Sequence, residues 1–483
     1  MSQSPHQDQH AAATAPAFDP ARWQARLDEL LAVHHIPGAS LAVLAGGEIH
    51  ELAGGILHTG TGVRATTDSV FQIGSISKGY TAALVVHLAD AGKLDLDAPV
   101  VDVLPGFAVA DAAAGGTITV RQLLNHTSGI EGDFVSDTGR GDDCLARYAE
   151  GVRNVGLTNP PGATMSYSST AYNVLGRIIE VVTGLTWDEA LKKLIREPLG
   201  LAHTMTLPEE VLRFRAAMGH MGEPGEDPVP TPLWNMLPRS AGPYGGICAT
   251  AADVVRFARL FIDGGTAPDG TRVLSAGAVE AMLTREVEMP DQWFLGAHWG
   301  LGWGLFEWDG ARGFGHDGST FGQLAYLRAI PEAGIALALL TNGGGAAPKV
   351  FETLCRELTA ELAGVTMPGF GPAAGAPGAD AVRPAVDPTP FVGGYRREGF
   401  LMTVTDRPAG EGVLQVRYEG ADGLKDTFEP LFWNLVPVSD TPSKTVFAGR
   451  RNEKDAWIPV VFYALADGSR YVHFGVRATA KSA

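Results

Sequence analysis

The stretch FQIGSISKGYTAALVVHLADAG, residues 71–92, decides how the rest of the chain is read. From Lys78 to Gly92 it is apolar on most sides and stops at a glycine, which predicts a deeply buried helix. At the start of that helix stands the chain's only Ser-x-x-Lys, Ser75 and Lys78. Residues i and i+3 share a helical face, so the lysine amine reaches the serine hydroxyl, and the serine N–H points outward at the helix N-terminus. A nucleophile, a candidate base and an oxyanion donor coincide within one turn. Burial disfavours the charged form of a lysine, which suits Lys78 to activating a weakly nucleophilic alcohol. Four residues are short enough to arise by accident, so distant segments have to agree.

Upstream, DPARWQARLDELLAVHHI (19–36) opens with an Asp N-cap and Pro at N1. It sets Trp23, Leu27, Leu30, Leu31 and His34 on one side of a helix. GASLAVLAGG and EIHELAGG then read as two strands turning at Gly46-Gly47. Downstream, helices are predicted at 118–125, 170–183, 187–195, 251–263, 275–284 and 348–362. Strands GLGWGLFEW, GFGHDGS, GQLAYLRAI and IALALLTN between 300 and 342 extend the first sheet. The pattern is α+β: an antiparallel sheet flanked by helices, with an all-helical subdomain.

Residues 364–388 are rich in Gly, Pro and Ala without apolar periodicity, as in a linker. Beyond 389 come six short alternating segments, FLMTVTD, VLQVRYEG, FEPLFWNLVPV, KTVFAGR, WIPVVFYAL and RYVHFGVRA. These predict a small C-terminal antiparallel β-barrel, lipocalin-like, closed so that no strand edge is exposed. The expected organisation is a flexible leader at 1–16, a hydrolase domain at 17–363, the linker, and a barrel domain at 389–483.

The 37 Lys+Arg against 54 Asp+Glu leave a formal charge of −17, which repels nucleic acid and anionic lipid. No run of about 18 apolar residues predicts a membrane span. The opening residues have neither the basic nor the apolar part of a secretory signal. Cys144, Cys248 and Cys355 have no metal-ligand spacing and suit free thiols in a reducing compartment, so the expected location is cytoplasmic. Neither a metal nor another cofactor is expected, since no zinc helix, phosphate loop or dinucleotide fingerprint occurs. The oligomeric state is not legible.

Two further segments bear chemistry. In PPGATMSYSSTAYNVLGRIIE, Tyr167 and Ser169 precede a helix, where a phenol can relay the serine proton. In GFGHDGSTFGQLAYL, His316, Asp317 and Gly318 lie on a strand whose glycines let another backbone come close. The Ser319 N–H then offers a second oxyanion donor, with His316 turned to the substrate or to Tyr167. His126 in NHTSG reads as a hydrogen-bonded structural histidine, and Asp133, Asp137, Asp142 and Asp143 as a solvated loop bordering the site.

Taken in order, Ser-x-x-Lys, Tyr-x-Ser and His-x-Gly resemble the family of class C β-lactamases, D,D-peptidases, D-aminopeptidases and related esterases, a penicillin-binding-protein-like group. The resemblance spans about residues 17–363 and includes LLNHTSGI and AGPYGGICATAADVVRFARLF. It implies a β-lactamase/transpeptidase-like fold, with Ser75 as nucleophile and Lys78 and Tyr167 as the base pair. It also implies Ser75 and Ser319 as the oxyanion hole, and substrate contacts from His316, Gly318 and Ser169. Which of Lys78 and Tyr167 deprotonates Ser75 stays open. The family usually carries Asn where this chain has Ser169, and many members carry Lys at the place of His316. Both departures weaken the expectation for β-lactams, and esters or less anionic peptides fit better within the expected range of small-molecule ester, amide or peptide substrates. Relatives with a barrel after the hydrolase unit include D-aminopeptidase-like enzymes and peptide-cyclising thioesterases, so aminolysis or cyclisation is an alternative to hydrolysis. A slow-acylating penicillin or peptide sensor is a second.

Overall fold

The structure, a computed structural model, describes residues 17–371, 384–407, 413–425, 429–451 and 456–482. The expected leader and much of the expected linker lie outside these residues. Strand Gly38–Ala45 is buried along its whole length. Its alternate residues serve two cores: Leu41 and Val43 face one, Ala42 and Leu44 the other. It is the second strand of an eight-stranded antiparallel sheet. In spatial order the sheet runs Glu48–Gly55, Gly38–Ala45, Ile335–Thr341, Gln323–Ile330, Ala311–Thr320, Gly304–Trp308, His298–Trp299 and Val287–Glu288. The register pairs Ala39 with Thr341, Leu324 with Thr341, and His316 with Leu327.

Helices Pro20–Val33 and Ala347–Ala363 cover one face. Asp19 caps the first by accepting from the N–H groups of Ala21 and Arg22. On the other face lie Ala251–Ile262 and the helix predicted from the opening stretch, which spans Ser77–Asp90. Residues 77–86 of that helix are all buried. Burying Leu84, Val85, Val86 and Leu88 alone contributes roughly 6–12 kcal/mol as an upper estimate. Tyr80 stacks on Phe257 with centroids 3.7 Å apart. Gly79 lies against the Trp303 ring, where an added Cβ would meet ring carbon at 2.4 Å. This packing fixes the axial position of the helix, and with it the height of Ser75 and Lys78. Helices Val120–Leu124, Cys144–Gly151, Ser169–Thr183 and Trp187–Leu191 form the helical side of the site.

The C-terminal unit is a closed barrel of eight antiparallel strands, two more than the six segments read from sequence. The first addition, Gly393–Arg397, closes the barrel by pairing Tyr395 with Lys481 and Arg396 with Ala480. The second arises because RYVHFGVRA is two strands, Arg470–Phe474 and Arg477–Lys481, turning at Gly475-Val476. Both turn residues have positive φ, 54° and 61°. Such a turn calls for Asn-Gly or Asp-Gly, and valine gives no turn signal. Among the described residues no helix is long and apolar enough to cross a membrane, and all three cysteines are buried and unpaired.

Candidate active site

Ser75 sits in the single turn Gly74–Ile76 that leads into helix Ser77–Asp90, and it is half-buried while its neighbours are buried. Lys78 Nζ donates to Ser75 Oγ at 3.1 Å and to the Tyr244 carbonyl at 3.0 Å. Segment 243–247 holds the helix start: Thr81 Oγ1 donates to the Pro243 carbonyl at 2.7 Å, and the Ile247 N–H to Ser77 Oγ at 3.2 Å. Lys78 is fully buried, and among the described residues it forms no ion pair. Burial, then the nearby Arg477 guanidinium, holds its amine well below the usual lysine pKa, while Asp133 opposes them.

Tyr167 stands just ahead of helix Ser169–Thr183, which Ser168 caps by accepting from the Ala171 N–H. Its hydroxyl lies 3.2 Å from His316 Nε2. The other ring nitrogen, Nδ1, is 2.6 Å from the Asp317 carbonyl, an oxygen that only accepts, so Nδ1 carries the proton. Burial, then Lys78, depresses the imidazole to about 3, so His316 is neutral and Nε2 is a lone-pair acceptor. Tyr167 O–H therefore donates to His316, leaving the phenol's lone pairs for Ser75, whose hydrogen bond opposes the burial that raises the phenol's pKa. The Asp317 carboxylate is held from behind by Arg328 at 2.5 and 3.2 Å.

Strand Gly304–Trp308 leaves its neighbour at Gly315, so the edge at 316–320 is free to meet the Ser75 turn. There the two backbones touch. A Cβ on Gly318 would lie 1.9 Å from the Ile73 carbonyl oxygen and 3.1 Å from Ser75 N, and one on Gly74 would lie 2.6 Å from Ser319 N. Glycine at both positions lets the backbone at Ser319 lie close against the Ser75 turn. Ser169 is the first residue of its helix and half-exposed, and among the described residues its hydroxyl has no hydrogen-bond partner. His126, at φ 60°, accepts from the Ser168 N–H on Nδ1 at 3.1 Å and places its ring 4.3 Å from that of Tyr167.

Sequence reasoning missed what the barrel brings. Tyr167 N–H donates to the Val476 carbonyl at 3.0 Å, and the Ala478 N–H to Ser166 Oγ at 3.2 Å. Arg477 lies 5.0 Å over the Tyr167 ring and binds Asp133, which also binds Arg397; Arg397 in turn binds Glu131. Between 264 and 344 residues separate these partners in the chain, and no local pattern links them. Asp133 is thus an interface residue, whereas Asp142 pairs with the distant Arg239 of the hydrolase unit and Asp143 with Arg147 one helical turn on.

Residues 23–354 match the family model described as Beta-lactamase. Penicillin-binding protein 4 of Amycolatopsis lactamdurans is 57% identical over 384 residues, 79% of this chain and 99% of that protein. Among solved structures SurE, determined also with D-Leu, aligns over 96% of this chain and 99% of its own at TM-score 0.74 and 28% identity, an extent that takes in the barrel. The D-amino acid amidase of Ochrobactrum anthropi SV3, complexed with L-phenylalanine amide, covers 66% of this chain and 90% of its own at TM-score 0.55 and 27% identity.

Proposed function

The chain belongs to the β-lactamase family of serine hydrolases, related to penicillin-binding proteins and D-amino acid amidases, and from that premise we propose that Ser75 forms an acyl-enzyme with a small ester, amide or peptide. The acyl part carries a D-configured residue, and water then releases it. The observation that carries this reading is the pair of hydrogen bonds, Lys78 to Ser75 and Tyr167 to His316, beside a half-exposed Ser75.

Each residue has a role that follows from its protonation state. Lys78, whose amine burial holds well below the usual lysine pKa, is the base that takes the Ser75 proton. Tyr167 stays a neutral phenol, because its own proton is engaged by His316 and burial raises its pKa. It is the route by which the proton held on Lys78 reaches the leaving group. The Ser75 and Ser319 N–H groups hold the oxyanion. Ser169 and Gly318 border the acyl group. The D-preference is supported by three structural relatives: the D-amino acid amidase, the D-stereospecific amidohydrolase of Streptomyces sp., and SurE with D-Leu. Among the described residues a β-lactam carboxylate would find no free cation in the site, since His316 is neutral and Arg477 is bonded to Asp133. β-Lactam turnover is accordingly weak.

The test is a screen of p-nitrophenyl esters, D- and L-amino acid amides, a chromogenic cephalosporin and a peptidyl thioester, run on wild type, Ser75→Ala, Tyr167→Phe and His316→Ala. Steady turnover of esters and D-amides that Ser75→Ala abolishes is expected. A burst without turnover would instead identify a sensor, and a cyclised or aminolysed thioester product an acyltransferase.

A further inference from the structure

We infer that the barrel hairpin at residues 474–478 is part of the catalytic centre, and that Arg477, held by Asp133, is a positioning residue that keeps Tyr167 in line with Ser75 and His316 and sets a fixed positive charge beside Lys78. The inference rests on the roles just proposed for Lys78 and Tyr167.

Three consecutive hairpin residues grip the segment that carries the phenol. Val476 accepts from the Tyr167 N–H, Arg477 covers the Tyr167 ring, and Ala478 donates to Ser166 Oγ. Val476 does so at φ 61°, a left-handed conformation disfavoured for a β-branched residue. The strain falls on the residue whose carbonyl meets Tyr167. Behind the ring, Gly132 fills the gap between the Tyr167 carbonyl and Arg477: a Cβ there would lie 2.3 Å from that oxygen and 3.1 Å from Arg477 Nε.

The guanidinium is already committed. Nε and Nη2 donate to the two oxygens of Asp133 at 3.2 and 2.6 Å, and its side chain is only 14% exposed, so it is not poised to clamp a substrate carboxylate. Lys78 is otherwise faced by the phenols of Tyr167, Tyr172 and Tyr244 and by the imidazoles of His126 and His316. All five are kept uncharged at neutral pH by burial. The fixed charges acting on Lys78 are thus Arg477, which favours the free amine, and Asp133, which opposes it.

The experiment uses the full chain and p-nitrophenyl butyrate, with kcat and KM measured across pH for Arg477→Met, Arg477→Lys and Asp133→Asn. The acidic limb of kcat/KM reports protonation of Lys78. Arg477→Met is expected to lower kcat about tenfold with KM within about twofold, and to move that limb up by about one pH unit. Asp133→Asn moves it down, and Arg477→Lys, which keeps the charge, leaves it close to wild type. A downward shift in Asp133→Asn beside an unmoved limb in Arg477→Lys remains readable even where Arg477→Met does not fold. Arg477→Met and Asp133→Asn limbs that stay put, or move the same way, overturn the inference, as does a displaced limb in Arg477→Lys or an Arg477→Met that raises KM with kcat intact. Turnover surviving in Ser75→Ala would sink the proposed function itself, whereas a dead Ser75→Ala with unmoved limbs sinks this inference alone.

Discussion

Gly318→Ala is the smallest perturbation that should break the site without touching a side chain in it. The new methyl would sit 1.9 Å from the Ile73 carbonyl oxygen and 2.8 Å from its carbon, both backbone atoms that cannot rotate away. Real Cβ contacts essentially never fall under 3.0 Å, so the two segments must part by about 1.1 Å in a close-packed interior. Ile73 is two residues before Ser75, and Gly318 is bonded to Ser319. The same movement therefore widens the gap between the two N–H donors. Oxyanion donors work only within about 0.5 Å of the productive position, and losing one costs about 10²–10³ in kcat, or roughly 3–4 kcal/mol. The assay is kcat for p-nitrophenyl butyrate beside Gly106→Ala, where an added methyl meets nothing within 4 Å. A Gly318→Ala enzyme within about threefold of wild type would refute the assignment of Ser75 and Ser319 N–H as paired donors.

Tyr167→Phe removes the hydroxyl between Ser75 and His316. It is expected to cost about 10²–10⁴ in kcat for an amide and less for a p-nitrophenyl ester, whose leaving group needs no proton; equal losses on both would argue against a relay. Arg397→Met leaves Glu131 buried without its partner, their side chains being 8% and 4% exposed. Thermal melting should show a loss of about 3 kcal/mol, and an unchanged midpoint would show that the interface ion cluster does not secure the barrel. Burial pushes the Asp291 carboxyl up to about 6. A carboxyl raised in the folded state stabilises it below the unfolded pKa of 3.8 and loses that contribution as pH rises through 6. Asp291→Asn should therefore be more stable than wild type at pH 8, by up to about 3 kcal/mol, and close to wild type at pH 4; a constant difference at both would mean the carboxyl does not titrate there.

What the sequence disclosed and what it withheld follow from the range of the interactions. The Ser75–Lys78 contact spans one helical turn, and the apolar run to Gly92 announces that the turn is buried. The period-two stretches at 38–55 and 300–342 likewise state their own conformation, so the sheet was legible. Strand Gly393–Arg397 was not, because GGYRR offers a single buried side chain, Tyr395. The hairpin at Gly475-Val476 hid inside a continuous alternating run, since a valine at φ 61° is held there by its contact with Tyr167 and not by its own preference. For the same reason Asp133 read as a solvated loop residue: its partners Arg397 and Arg477 come from the barrel. The protonation pattern was legible only in outline. Burial of Lys78 could be anticipated from its helix, but the neutrality of His316 comes from its own burial beside Lys78, and its tautomer from the Asp317 carbonyl, neither of which a local pattern announces.

Intact-mass and peptide-mapping mass spectrometry of the full chain quenched during turnover of a p-nitrophenyl ester tests the central claim most directly. The account predicts a mass increase equal to one acyl group, carried by the peptide that contains Ser75 and absent from Ser75→Ala. An acyl group found on another residue, or steady turnover by Ser75→Ala, would contradict it.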